Sequence, residues 1–268
     1  MMKKIWTVKH SILARLIVIC LFVPQLSLGE NILLESKLAK NSEKFLGLQY
    51  GTSPLGEGKA PDADPLIRFD VFDCTTYVET VIALSIAGQN EVVQVLNEIR
   101  YADGKPSIQS RNHFTSLDWI PNNVKKGFLK DITFQTFPIA AYQLQTLIDK
   151  KTWFQKNLAI NVEEKEISSN LNIIRISEIL ENERLLEQIP NGTVINFVTK
   201  NNSLKEKIGT DLDIVHQGLV FWIDGQVMLR HARNHLYGVV EDRLIDYLKK
   251  TSMNDVYAIN LLQIRNPY

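Results

Sequence analysis

Residues 72–78, FDCTTYV, decide the fold, because here a loop turns into a helix at the lone cysteine that follows residue 29. Asp73 can accept hydrogen bonds as the N-cap, Cys74 takes the first helical position, and apolar residues follow at helical spacing up to Gly88. The thiol then lies at the positive end of the helix, where its pKa is expected to fall towards that of a reactive thiolate. An unpaired cysteine in an oxidising compartment is a liability unless its reactivity is used, so this stretch predicts a nucleophile.

The first 29 residues have the pattern of a cleaved secretory signal peptide. Four basic residues precede an apolar run, Leu16–Val23, and small residues then stand where a signal peptidase would cut. The run is shorter than the about 20 residues that cross a bilayer, so no stable membrane anchor is expected. Cys20 lacks the small residue that a lipoprotein signal places just before its cysteine, which disfavours lipidation. The sequence therefore predicts export to the periplasm or the cell envelope.

Composition narrows the classes of protein that the remaining chain can represent. Without the predicted signal it has 26 basic and 30 acidic residues, which does not favour a surface that binds nucleic acid. Its length suits one domain over residues 30–268, with an insertion around 101–190. We expect a monomer that carries no cofactor. One cysteine cannot form an intramolecular disulfide.

Hydrophobic patterning predicts an α+β fold in which helices come first and a meandering antiparallel sheet follows. A Gly- and Pro-rich stretch from residue 51 to 65 predicts a long loop, and no single element is assigned to 101–135. Helices are predicted at 32–46, 74–87, 90–99, 144–148, 177–186 and 241–249. Strands are predicted at 173–176, 193–199, 214–223, 227–231 and 256–264.

Two histidines are predicted to serve the thiol from neighbouring strands. Asp224-Gly225 is a strong hairpin signal, and His216 and His231 lie on the two strands that this turn would join. Counting along antiparallel strands brings the two side chains close together. His216 is then the candidate general base, and His231 is the candidate group that orients it, although an Asn or Gln elsewhere could also do so. Backbone N–H groups at the start of the Cys74 helix are the candidate oxyanion donors.

These residues resemble a known family, the NlpC-type papain-like peptidoglycan hydrolases. The family's nucleophile motif, Asp-Cys-Ser-Gly-Phe-Val, is similar to residues 73–78, with Thr75-Thr76 in place of Ser-Gly. Its strand His-Val-Gly-Ile-Tyr and the later His-Ala pair are similar to residues 216–220 and 231–232, with Gln217 in place of an aliphatic residue. Residues 45–50 and 192–197 resemble two further motifs, and the order is collinear over about residues 38–235. The resemblance implies a papain-like fold with the nucleophile at a helix start, packed on an antiparallel sheet.

A second, narrower resemblance indicates the substrate and the bond that is cut. Residues 73–79, together with Arg100-Tyr101, residues 111–114 and Asp118-Trp119, look like the N-acetylmuramoyl-L-alanine amidase branch of that family. This implies hydrolysis of the amide between the muramic acid lactyl group and the L-Ala of the stem peptide. Small muropeptide fragments, including anhydro forms, are then the expected substrates.

Four residues are candidates for substrate binding. Arg111 could meet a stem-peptide carboxylate or a lactyl oxygen through its forked donors, with His113 beside it, or the pair could lock an irregular loop. Trp119, like Tyr101, could form a sugar platform or part of the core. Tyr50 could line the cleft or pack beneath it.

Three rival functions carry the same motifs. An endopeptidase would cut between stem-peptide residues, an inactive protein would only bind or inhibit at the cell wall, and an acyltransferase would pass the acyl group to an amine. A metal site is not expected, because His231 and His235 lack a completing set of ligands and a clear helix.

Overall fold

The computed structural model describes residues 29–88, 91–163, 166–199, 203–234 and 237–268. Cys20 and almost all of the predicted signal peptide lie outside these residues, as do Asn90 and His235. Within the described ranges, no helix has both the length and the apolar character needed to cross a membrane.

Helix α2, Cys74–Ile86, begins where the sequence predicts. Asp73 caps it in a reciprocal arrangement: its Oδ1 accepts from the backbone N–H of Thr76 at 2.7 Å, and its own N–H donates to Thr76 Oγ1 at 3.0 Å. Asp73 Oδ2 also accepts from the backbone N–H of Ser53 at 3.1 Å, which ties the preceding loop to the helix start. These local bonds fix the position of the first helical residue, Cys74.

Two other helices and a small parallel pair of strands accompany α2 in the N-terminal part. Helix α1 covers 29–43, and helix α3 covers Val92–Arg100, close to the predicted 90–99. Strands β1, Gln49–Tyr50, and β2, Val71–Phe72, pair in parallel, so that Tyr50 lies beside Phe72. Residues 51–70 between them form the predicted loop.

An eight-stranded sheet forms the rest of the framework, and its pairings are antiparallel. The order is β4-β5-β10-β6-β7-β8-β9, with β3 also paired to β10. The strands are β3 Leu129–Asp131, β4 Tyr142–Asp149, β5 Glu166–Arg175, β6 Thr193–Thr199, β7 Ile214–Ile223, β8 Gln226–Ala232, β9 Val239–Arg243 and β10 Val256–Ile264. The remaining helices are α4 Ile120–Lys125, α5 Thr133–Thr136, α6 Lys150–Leu158, α7 Ile176–Glu181, α8 Ser203–Ile208 and α9 Leu244–Thr251; a π-turn at Thr115–Trp119 and a 3₁₀ segment at Glu183–Gln188 complete the set. The α+β prediction with an antiparallel sheet is confirmed.

Several predicted elements were wrong in type or extent. The helix predicted at 144–148 is strand β4, where residues 142, 144, 146 and 148 are more buried than residues 143, 145 and 147, a period of two. The strand predicted at 173–176 is the end of the longer β5, and the helix predicted at 177–186 is divided between α7 and the 3₁₀ segment. The helix predicted at 241–249 begins only at Leu244, because 239–243 pair with β8.

The two faces of the sheet are covered by different helices. Val194 and Val198 of β6 belong to the core that includes α1, α2 and α3, whereas Ile195 and Phe197 belong to the core that includes α7 and α9. This alternation is what a strand buried on both sides requires. The nucleophile helix and the two-histidine hairpin are thus joined through one continuous framework, which holds the site rigidly.

Candidate active site

The sulfur of Cys74 lies at the start of α2, level with the backbone of β7. The side chain is partly exposed. The backbone N–H groups of Gln217 and Thr75 lie near the sulfur and act to lower the pKa of the thiol, and Thr75 Oγ1 lies 3.9 Å from Sγ. Gln217 directly follows His216 on β7, so the sulfur lies against the strand that carries this histidine. The N–H groups that surround the sulfur are also the donors best placed to receive an oxyanion that forms beside it.

The expected lowering of the thiol pKa is not found. Burial, followed by the negative charge of Asp73, raises the pKa of Cys74 from 9.0 to about 12, and the donated hydrogen bonds only partly oppose this. Desolvation disfavours the thiolate and outweighs the helix terminus. The sulfur is therefore protonated at neutral pH and needs a base to become a nucleophile.

The predicted base and its partner do lie together. His216 Nε2 is 2.6 Å from His231 Nδ1, and the two rings meet edge to face with centroids 4.9 Å apart. Tyr247 of α9 packs against both imidazoles, with ring centroids 6.0 Å from His216 and 4.7 Å from His231. The hairpin register, which pairs Leu219 with Arg230, aligns the two histidines as the sequence predicts.

Asp242 adds a carboxylate to the pair of histidines, and it was not predicted from the sequence. His231 Nε2 is 3.0 Å from Asp242 Oδ2, and the hydrogen bond from His231 keeps the pKa of Asp242 below its usual value. Strand β9 brings Asp242 opposite Leu229 of β8. The signal was present in Val239-Val240, whose β-branched side chains favour a strand over the helix start that was predicted at 241.

The chain of three groups fixes the proton positions. An ionised carboxylate only accepts, so His231 carries its proton on Nε2 and, when neutral, accepts on Nδ1. His216 must then donate from Nε2, which leaves the lone pair of its Nδ1 free. Burial lowers the pKa of both histidines, for His216 well below 6.5, with the neighbouring His231 and Arg233 acting in the same direction. The resting site thus holds a neutral imidazole with one free nitrogen to accept a proton.

Tyr50 lies near the thiol, on strand β1. Burial raises the pKa of Tyr50 to about 12, and the charges of Cys74 and Asp73 act in the same direction. Its phenol is half-buried and keeps its proton at neutral pH, so it can donate a hydrogen bond near the sulfur.

Arg111 and His113, two of the other predicted substrate residues, form hydrogen bonds within the protein. Arg111 Nε and Nη2 donate to the two oxygens of Glu57 at 2.8 and 2.7 Å, and Nη2 also reaches Asp62 at 2.6 Å, so the fork formed by these two nitrogens is engaged within the protein. His113 Nε2 donates to the Ile108 carbonyl at 2.7 Å. The alternative reading of these two residues, a pair that locks an irregular loop, fits these bonds.

Trp119 does not fit direct contact with a substrate. Its side chain is 1% exposed, and its Nε1 donates to Glu79 Oε1 at 2.9 Å. Tyr101 is equally buried and donates to the carbonyl of Gly56. Both aromatic residues belong to the core, which corrects their reading as a sugar platform.

Gly218 lets strands β7 and β8, which carry the two histidines, approach closely. A Cβ atom at this position would lie 2.6 Å from a methyl group of Leu229 and 3.0 Å from Cβ of His231. We expect Gly218→Ala to lower the free energy of unfolding by about 1–3 kcal/mol through overpacking. Denaturant unfolding measures this, with Gly88→Ala as the control, because a Cβ there meets nothing closer than 3.9 Å. Equal stability of the two variants would contradict the close packing at His231.

Comparisons with known proteins show the family of the chain. The family model of AmiA-like, N-acetylmuramoyl-L-alanine amidase-like proteins matches residues 40–254. A crystal structure from Legionella pneumophila, of family DUF1460, superposes with a TM-score of 0.80 at 33% identity, covering 86% of this chain and 89% of that one. An N-acetylmuramoyl-L-alanine amidase from Bacteroides uniformis superposes with a TM-score of 0.69 at 25% identity, covering 87% and 99%. No protein of curated function matches the chain. The match over residues 40–254 shows that the chain belongs to the AmiA-like family of N-acetylmuramoyl-L-alanine amidase-like proteins.

Proposed function

We propose that the protein is a cysteine amidase that hydrolyses the amide between the muramic acid lactyl group and L-Ala in peptidoglycan fragments. Membership of the family supports an amidase-like hydrolase that acts on peptidoglycan. The observation that carries the finer proposal is the hydrogen-bonded chain His216–His231–Asp242, which starts on the strand whose next residue, Gln217, has its backbone N–H near the thiol of Cys74. A neutral thiol served by a neutral, oriented imidazole is the arrangement that general-base activation of a nucleophile requires.

The first half of the proposed reaction forms an acyl-enzyme. His216 Nδ1 takes the thiol proton as the sulfur of Cys74 attacks the lactyl carbonyl carbon. The oxyanion receives hydrogen bonds from backbone N–H groups at Thr75 and Gln217, and the positive charge on His216 is stabilised through His231 by Asp242. The proton then passes to the nitrogen of L-Ala, the C–N bond breaks, and the stem peptide leaves with a free amino group.

The second half returns the enzyme to its resting state. Water attacks the thioester while His216 Nδ1 takes one of its protons. The sulfur leaves and takes the proton from His216, and the lactyl group departs as a carboxylic acid that releases its own proton to solvent. A papain-like, NlpC-type relationship of the fold is part of the same proposal, because a nucleophile at a helix start and a histidine on an adjoining antiparallel strand are features that the two share.

Labelling of the new amino terminus tests which bond is cut. After incubation of the protein with a purified muropeptide, fluorodinitrobenzene marks each amino group that hydrolysis has released. An amidase yields labelled alanine; an endopeptidase of the same fold yields a different labelled residue and refutes the proposed bond. No release from a protein that still binds the muropeptide would favour the inactive wall-binding alternative.

The pH dependence of kcat/KM follows from the buried histidines. The lowered pKa of His216 means that the imidazole stays neutral, and so competent as a base, well below pH 6.5. We therefore expect a plateau at neutral pH and an acid limb whose midpoint lies below 6.5, in a profile measured from about pH 4 to about pH 9. An acid limb centred at or above 6.5 would contradict burial of the base in the free enzyme.

The family's action on peptidoglycan fits a place outside the cytoplasm. Export through the predicted signal peptide is part of our proposal, as is a monomeric state. Peptidoglycan or its muropeptide fragments are then the partners that the protein meets there.

A further inference from the structure

A cavity of about 700 Å³ opens beside the nucleophile. Asp73 and Thr75, the two residues that flank Cys74 in sequence, form part of its wall. Loop 51–70, residues 111–113 and helix α6 contribute most of the remaining lining. Cys74 itself does not line the cavity, but its two neighbours do, so one side of an amide held at the sulfur has this cavity within reach.

Among the described residues that line the cavity, both arginines are already in ion pairs with carboxylates of the protein. Its lining holds four carboxylates, of Asp62, Asp64, Asp73 and Glu79, against the two guanidinium groups of Arg100 and Arg111. Arg100 pairs with Glu79 at 3.0 Å, and Arg111 pairs with Glu57 and Asp62. Burial lowers the pKa of His113 to about 4, so this histidine is neutral as well. A carboxylate placed here would meet like charge without a free partner.

Several of the polar atoms left to a ligand are acceptors. His113 uses its Nε2–H on the Ile108 carbonyl, so its neutral ring keeps an acceptor at Nδ1. Asn157 donates both N–H groups of its amide to the carbonyls of Trp153 and Ile208, each at 2.8 Å, which leaves its oxygen. Asp64 adds an exposed carboxylate. Such a wall suits a ligand that is rich in hydroxyl and amide donors and that carries no negative charge.

Trp153 gives the cavity an aromatic wall. Its ring is half-buried and is held by three neighbours, with centroids 5.0 Å from His113, 5.1 Å from Phe114 and 5.2 Å from Phe154. Rigid support of this kind keeps the indole in place before a ligand arrives. A pyranose ring, which has an apolar face and hydroxyl donors at its edge, matches both the indole and the acceptors around it.

We propose that this cavity binds the uncharged muramyl sugar of the substrate, with Trp153 as its stacking surface, and that the stem peptide with its carboxylates lies outside it. The inference rests on the proposed function, since it assigns the two sides of the amide that the thiol attacks. Once the lactyl carboxyl group is in amide linkage, the sugar side carries no charge, whereas the peptide side carries several carboxylates.

Binding to the Cys74→Ala variant separates the two sides without any turnover. The probes are N-acetylmuramoyl methylamide, which carries the sugar and the lactyl amide alone, and the free stem tripeptide. Isothermal titration should show that Trp153→Ala, added to this background, weakens binding of the methylamide about tenfold or more and leaves that of the tripeptide within about twofold. Trp222→Ala is the matched control, because this tryptophan lies on β7 and does not line the cavity.

Asp64→Asn gives a second readout that does not depend on packing at Trp153. If the cavity holds the sugar, loss of this charge should not tighten binding of the tripeptide. Tripeptide binding that tightens severalfold in Asp64→Asn, or that weakens in Trp153→Ala while methylamide binding does not, would overturn the assignment. Methylamide binding lost in Trp153→Ala but kept in Trp222→Ala would support the sugar site even if the wild-type protein cut no amide, so the two proposals can fail separately.

Discussion

Replacement of Cys74 by alanine is expected to reduce kcat for amide hydrolysis by at least about 10⁴-fold. The variant keeps the base and the oxyanion donors but has no atom that can form the acyl-enzyme. Because Cys74 is the lone cysteine after residue 29, iodoacetamide should inactivate the wild-type protein in proportion to one alkylated thiol.

Two controls sharpen this expectation. Ser85→Ala removes a buried hydroxyl elsewhere on the same helix and should leave kcat within about a fewfold of the wild type. Thermal unfolding of Cys74→Ala should resemble that of the wild type, since a partly exposed thiol contributes little packing. Turnover by the alanine variant or by the fully alkylated protein at a near wild-type rate would remove the thiol from the mechanism.

The second large effect is expected at Asp242. In Asp242→Asn, the side-chain amide can donate to His231 Nε2, which moves the protons so that His216 presents N–H rather than a lone pair at Nδ1. A base in the wrong tautomer cannot take the thiol proton, so kcat should fall on the order of 10²- to 10⁴-fold with KM little changed. Steady-state kinetics measures both constants.

A role for Asp242 through His216 can be distinguished from a purely structural one. Nitrogen-15 NMR of the imidazoles should show the tautomers of His216 and His231 exchanged in Asp242→Asn. Asp246→Asn is the control, because Asp246 pairs with Arg243 on an exposed surface and has no contact with the histidines. Unchanged tautomers together with a lower melting temperature would mean that Asp242 acts only on stability.

Local sequence signals predicted the parts of the site that local geometry determines. Asp73 and Thr76 cap the helix through bonds within four residues, so the position of Cys74 could be predicted. His216 and His231 lie 15 residues apart across one hairpin, and the turn fixes their register. Leu144 and Ile148 led to the wrong prediction of a helix, because their spacing of four residues fits one turn of a helix as well as one face of a strand.

The remaining features depend on contacts between distant parts of the chain. Arg111 lies 54 residues from Glu57 along the chain, so its pairing, and with it the loss of a free cation, cannot be predicted from the motif around it. The predicted direction of the thiol pKa was wrong for a similar reason, since the helix start is a local feature whereas the burial that raises the pKa of Cys74 depends on tertiary packing. Asp242 was missed because the helix was predicted to begin at 241 and strand β9 was not predicted at all.

Mass spectrometry of muropeptides tests the central claim most directly. Purified N-acetylmuramoyl peptides, in reduced and anhydro forms, are incubated with the protein lacking residues 1–29 and, in parallel, with its Cys74→Ala variant. The account predicts that the wild type releases an intact stem peptide that begins with L-Ala, together with the free muramic acid sugar, and that the variant releases neither. A shortened peptide still attached to the sugar, or the same products from the variant, would contradict it.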